Sequence, residues 1–271
     1  MKFYYTLIAS VLFSVLTSCV ETIDPADRWK PVPDAGAPAR CVLIEEYTGI
    51  DCKNCPNGHA RIAEIEDFYN TQANTENGIG VITVGIHIPN FGDRIENGGF
   101  ITPEAAELCN NQTTAPAARI NRRNGVLELD RWQSAISAEI IRTPLVKFSS
   151  LTATINNGKL SVNGTAQANA VINDAKIQIW FVEDHIIDWQ LMPNGEYNDA
   201  YEHHAVYRGS LTGLEGNDIE LTPAKTSEFN FSDFEIPSVC NQQNIRVIAF
   251  IETSEAGVLN AWQADAQLIN E

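Results

Sequence analysis

Apolar positions in this chain follow two different periods, and the change between them comes near residue 143. Between 40 and 142 the spacing alternates between strand and helix. Cys41-Val42-Leu43-Ile44 runs into Glu45-Glu46-Tyr47 as a buried-type strand and breaks at Thr48-Gly49-Ile50-Asp51. From Asn57 to Tyr69, Ile62, Ile65 and Phe68/Tyr69 recur at helical spacing. A second β-rich run covers Gly80 to Ile88, with turn chemistry from Pro89 to Gly99. Thr102-Pro103-Glu104 opens a helix, with Thr as N-cap and Pro in the first turn. Arg119 to Leu129 reads as a hairpin turning at Asn124-Gly125. Trp132, Ile136 and Ile140 then share one face of a closing helix over 130–142. The order β-α-β-α-β-β-α is that of an α/β layer fold.

After Thr143-Pro144 the period becomes two. Strands are expected over 147–155 and 159–162, around an Asn156-Asn157-Gly158 turn, and over 176–182, 205–208, 228–231, 245–251 and 258–269. Seven or eight short strands with no helix signal predict an all-β sandwich, immunoglobulin-like in the loose sense, over 143–271. Trp180, Trp189 and Trp262 are expected in its core. Such a fold specifies no function.

The first 39 residues obey neither pattern. One cation, Lys2, precedes an apolar run from Tyr4 to Leu16, which is the grammar of an export signal. The run is shorter than the ~20 apolar residues of a spanning helix. It ends Leu16-Thr17-Ser18-Cys19, which resembles the lipobox of bacterial lipoproteins. That resemblance implies cleavage of a signal peptide 1–18, acylation of Cys19 and a membrane partner held through lipid. Residues 19–39 carry Pro25, Pro31, Pro33 and Pro38 among Glu21, Asp24, Asp27 and Asp34, the composition of a solvated linker.

The formal charge is −17, and removing residues 1–18 deletes one cation and takes it to −18. A nucleic-acid partner needs a cationic face, so none is expected. Of six cysteines, lipidation takes Cys19 and leaves an odd five, Cys41, Cys52, Cys55, Cys109 and Cys240. Export allows disulfides to persist.

Cys52-Lys53-Asn54-Cys55-Pro56 falls where a strand hands over to a helix. A helix N-terminus stabilises a thiolate through its partial positive charge and free N–H groups. Lys53 adds a cation, and Pro56 fits the first turn. The block Leu43 to Pro56 resembles the active-site segment of thioredoxin-like proteins. By that resemblance Cys52 is the attacking thiolate and Cys55 the resolving thiol. Glu46, six residues before Cys52, is the proton relay, and Pro116 in Thr114-Ala115-Pro116-Ala117 is the cis-proline of the substrate groove. Asp51 stands where that family often has Trp, and its carboxylate opposes the thiolate that Lys53 favours. Taken together, the lipobox, the Thr-Gly-x-x-Cys-x-x-Cys-Pro block and the following sandwich resemble the outer-membrane-protein-28-related lipoproteins of Bacteroidetes. The resemblance implies a thioredoxin-like domain over 40–142, an immunoglobulin-like sandwich over 143–271, and an outer-membrane location on the periplasmic or surface face.

Two functions follow. In one, the dithiol exchanges disulfides with envelope client proteins through a mixed disulfide on Cys52. In the other, the chain is a non-enzymatic scaffold that binds a partner and carries a structural Cys52–Cys55 bond. His87, at the carboxyl end of a strand, either tunes Cys52 or is a half-buried structural histidine. Cys52, Cys55 and His59, with Cys109 or His87, have zinc-knuckle spacing, but one knuckle stands alone, so neither metal nor cofactor is expected. Cys109 is either a third redox partner or a staple to Cys41, and Cys240 a small buried apolar residue. Glu202-His203-His204 is read as a solvated turn, because adjacent strand residues face opposite ways.

Overall fold

In β1 (Cys41–Thr48) seven of eight residues are buried, and in β2 (Gly80–His87) all eight are. They pair in parallel from Cys41↔Gly80 to Thr48↔His87. Strands covered on both faces need such continuous apolar runs. The computed structural model in which they lie describes residues 40–93, 99–110 and 112–269. The expected signal peptide 1–18, the linker 19–39 and Cys19 lie outside the described residues.

Helix α1 (Cys55–Tyr69) crosses between β1 and β2 and buries Ile62, Ile65 and Tyr69. These residues meet Val42, Ile44 and Val81 of the sheet and Trp132, Ile136 and Ile140 of α4 (Trp132–Ile140). A short α2 (Gln72–Glu76), which the spacing does not announce, follows α1. In α3 (Pro103–Leu108) the Thr102 hydroxyl accepts from the Ala105 N–H at 3.0 Å, as the N-cap reading requires.

The hairpin of β3 (Ala117–Ile120) and β4 (Arg123–Glu128) turns at Asn121-Arg122, with φ of 48° and 55°, not at Asn124-Gly125. Tertiary contacts select this turn. The Asn121 side chain accepts from the Leu43 N–H and donates to Glu139, both at 2.9 Å. Arg122 reaches Glu45 at 2.9 Å and Glu252 at 2.7 Å and lies 5.0 Å from the ring centroids of Trp180 and Phe250. Asn124-Gly125 stays inside β4, where the register with β3 shifts.

From residue 146 onward strands dominate. β5 (Val146–Asn156) and β6 (Lys159–Ala168) form the expected hairpin on Asn157-Gly158, both at positive φ. β7 (Lys176–Glu183), β8 (Ile186–Leu191), β9 (Tyr197–His203), β10 (Val206–Ser210), β11 (Asn217–Asp218), β12 (Thr226–Glu235), β13 (Ile245–Thr253) and β14 (Gly257–Leu268) follow. Their order in one mixed sheet is β12-β6-β5-β14-β13-β7-β10-β2-β1-β3-β4, with β11 on β7. The molecule thus has a mixed α/β fold with one large sheet and a separate two-stranded sheet, β8-β9. Val206 of β10 pairs in parallel with Gly85 of β2, so the hydrogen-bonded path runs unbroken across residue 143.

β14 leaves β13 and ends beside β5, carrying its hydrogen bonds to a second layer. Phe148, Ile155, Leu160, Val162, Ile179, Phe181, Val247 and Ile251 fill the space between the layers. Trp262 packs at the margin of this core. Trp180 is buried elsewhere, with Ile82, Val84, Tyr207 and Phe250. Trp189 is 42% exposed on the β8-β9 hairpin, contrary to its expected place in the core.

Candidate functional site: the Cys52–Cys55 bond and the cavity under α1

The chain leaves β1 at Thr48 and turns so that the Asp51 N–H donates to Phe91 O (2.8 Å) and the Cys52 N–H to Gly49 O (3.1 Å). Gly49 sits against the Phe91 backbone with no room for a side chain. Cys55 is the first residue of α1, and Pro56 lies in its first turn. Cys52 and Cys55 form a disulfide, with Cα atoms 5.4 Å apart. Cys52 is 3% exposed and Cys55 0%.

The cover comes from the β8-β9 hairpin. The Gln190 amide donates to Cys52 O (3.1 Å) and Gly49 O (3.3 Å), and the Leu191 N–H donates to Ile50 O (2.7 Å). At the rim, the Tyr197 hydroxyl donates to Asp51 Oδ1 at 2.7 Å. Lys53 and Asp51 are exposed.

Glu46 lies on β1 and is buried. A methyl group built on Gly58 would come within 2.7 Å of Glu46 Oε1 and 2.8 Å of Pro116 Cβ. Glu46, Pro116 and the first turns of α1 therefore meet at one point. The Ala115-Pro116 peptide is cis. Burial, and then the neighbouring Glu66, raise the Glu46 carboxyl well above the ordinary range.

A cavity of about 510 Å³ opens beside Glu46, between α1, β2 and β9. His59, Glu66, His87, Tyr201 and His203 line it. His59 Nε2 lies 2.8 Å from Thr48 Oγ1, its Nδ1 lies 2.7 Å from the Tyr201 hydroxyl, and Glu46 Oε1 is 3.9 Å away. Desolvation pushes His59 down to about 3 and His203 down to about 4, so both rings are neutral. His87 is fully buried rather than half-buried. It packs edge-on to Phe100 and His203, and neither ring nitrogen has a hydrogen-bond partner among the described residues. Burial lowers its pKa as well. The histidine side of the cavity wall is thus neutral, while an Asp184–Arg246 ion pair lines it elsewhere.

The remaining candidates stand apart from this point. Cys52 and Cys55 are tied to each other, so the zinc-knuckle spacing with His59 has no thiolates to offer. Cys41 and Cys109 are free thiols, not a staple. The Cys109 thiol donates to Ala105 O at 2.9 Å, and burial raises its pKa to about 11. Cys240 is buried in the core between the layers. His203 is not in a solvated turn. It faces the cavity with its Nε2 3.1 Å from Trp189 O, while His204 faces solvent. Gln190, Tyr201 and His203 close the site from more than 130 residues away in sequence, and the pattern at 186–203 gives no signal of it.

A family model described as "Outer membrane protein Omp28" matches residues 104–268, more than half of the chain. No curated protein sequence matches. Among solved structures, HBP35 of Porphyromonas gingivalis superposes with a TM-score of 0.66 at 18% identity, covering 86% of this chain and 78% of that one. A domain of the outer membrane lipoprotein Omp28 from the same organism aligns at a TM-score of 0.33 and 14% identity, over 46% of this chain and 99% of that one. The chain belongs to the Outer membrane protein Omp28 family.

Proposed function

We propose that this chain is a non-enzymatic, partner-binding envelope lipoprotein whose Cys52–Cys55 bond is structural. In this reading Cys19 carries lipid and residues 19–39 tether the body to the outer membrane. Residues 40–142 form a thioredoxin-like layer and 143–271 an immunoglobulin-like sandwich. The observation that carries the reading is burial of both half-cystines beneath Gln190 and Leu191. A disulfide that exchanges with clients has to admit an attacking thiolate in line with one sulfur. Here the carbonyls of Gly49, Ile50 and Cys52 are all bonded into β8. The bond closes the β1-to-α1 turn, and the hairpin that covers it offers Ile187, Trp189 and Tyr197 to solvent, residue types suited to a partner surface.

A second reading, disulfide exchange with client proteins, draws support from Glu46. A buried carboxyl packed against Pro116 and Gly58, its pKa raised by desolvation, supports the reading of Glu46 as a proton relay. Cys55→Ser expressed in the native envelope separates the two. The structural reading expects no mixed disulfides on Cys52 in the membrane fraction, and an acylated Cys19 by intact mass. A ladder of trapped clients, with fast alkylation of Cys52 in mildly reduced wild type, would favour exchange.

A further inference from the structure

His185, Glu202 and His204 converge on the exposed side of the β8-β9 hairpin, where Glu202 and His204 also line the cavity. Their ligand atoms all lie within 4.8 Å of one another. His185 Nδ1 is 2.6 Å from Glu202 Oε1, and His204 Nε2 is 3.7 Å from the same oxygen. The two imidazoles stand edge to face, with ring centroids 5.0 Å apart. Around a zinc ion with bonds of about 2.0–2.1 Å, neighbouring ligand atoms sit roughly 3.0–3.5 Å apart. To reach that spacing the 2.6 Å contact opens slightly and the widest separation closes by up to about 1.3 Å.

The backbone explains why these three meet. Side chains alternate along extended chain, so Glu202 and His204 are exposed while His203 between them is buried. His185 joins them from the opposite connection. It lies between β7 and β8, while His204 lies between β9 and β10, and both connections are fixed by pairing on either side. Glu183 pairs with Val206, and Ile186 pairs with His203. Asp184 holds the frame from below. It accepts from the Ala205 N–H at 2.7 Å and pairs with Arg246 at 3.0 Å, which also neutralises that cation. His185 itself has a φ of 59°, in the left-handed region that few non-glycine residues adopt. All three side chains are solvent-accessible, so an ion has an entry path and its remaining positions face water. The formal charge of −17 favours cations near the surface.

From this geometry we infer that His185, Glu202 and His204 form a binding site for one divalent transition-metal ion of the zinc type, with at least one coordination position open to solvent. Two imidazoles and one carboxylate suit zinc, copper(II) or nickel(II), and not calcium or magnesium, which prefer all-oxygen shells. The ion ties the β7-β8 connection to the β9-β10 connection. It thereby pins the hairpin that covers Cys52.

The test is titration calorimetry of the tag-free, oxidised chain with zinc chloride, alongside His204→Ala and His185→Asn. Asn tolerates the left-handed backbone at 185, so the second variant keeps the fold if the first loses it. One Zn²⁺ per wild-type chain is expected, weakened at least about tenfold in each variant. Zinc should raise the melting temperature of wild type and not of the variants. Magnesium chloride should give no heat and no shift. Wild-type binding absent at about 1 mM zinc, or equal affinity in wild type and both variants, overturns the site.

Discussion

Glu46 and His59 approach within 3.9 Å in the wall of the cavity, where desolvation favours the neutral form of each. The sequence singles out Glu46 through the thioredoxin-like resemblance, and His59 only through a zinc-knuckle spacing that the Cys52–Cys55 bond overturns. Their partners are not singled out, because Tyr201 and His203 arrive through a fold-level contact that no local spacing encodes. The neutrality has consequences for stability. His59 and His87 have folded pKa values depressed below the unfolded 6.5. Above that value both states are neutral and nothing is lost. As pH falls below it, the unfolded chain takes up protons that the folded one refuses, and stability declines towards the folded pKa. Glu46 has the opposite sign. Its raised pKa leaves stability intact below the unfolded carboxyl range and erodes it as pH rises above. Urea midpoints of wild type should therefore fall from pH 7 to pH 4 more steeply than those of His87→Phe. Parallel slopes would mean that His87 does not stay neutral in the fold.

At the scale of elements, the same dipeptide signal succeeded once and failed once. Asn157-Gly158 turns β5 into β6 with nothing else competing for the chain. Asn124-Gly125 lost to Asn121-Arg122, where a buried acid on either side, Glu139 and Glu45, rewards positive φ with hydrogen bonds. Strands β8 and β9 give no clear sequence signal because their exposed faces mix Ile187, Trp189 and Tyr197 with polar residues, and a two-stranded sheet leaves little alternation to read. Yet β8 supplies Gln190, the residue that closes the disulfide loop. Gln190→Ala removes one donor each from Gly49 O and Cys52 O, which keep the Cys52 and Cys55 N–H groups, a loss of about 0.5–1.5 kcal/mol per bond. The expected outcome is a lower melting temperature together with faster reduction of Cys52–Cys55 by a monothiol. Unchanged reduction kinetics would show that β8 does not guard the bond.

For the molecule as a whole, the change of period near residue 143 is real, since α-helices among the described residues end at Ile140 and strands dominate thereafter. What periodicity does not reveal is that β10 returns to pair with β2, or that Arg122 bridges Glu45 of β1 to Glu252 of β13. Such links depend on side chains far apart in sequence, and each residue alone reads as an ordinary surface charge. Through them the region after residue 143 supports the disulfide loop instead of hanging beside it. The reduction potential of Cys52–Cys55 tests this account most directly. Equilibrating the folded chain in dithiothreitol buffers and counting free thiols at 52 and 55 should give a value at or below about −300 mV, that of a structural bond. A value near about −200 mV, with Cys52 open to glutathione, would contradict it.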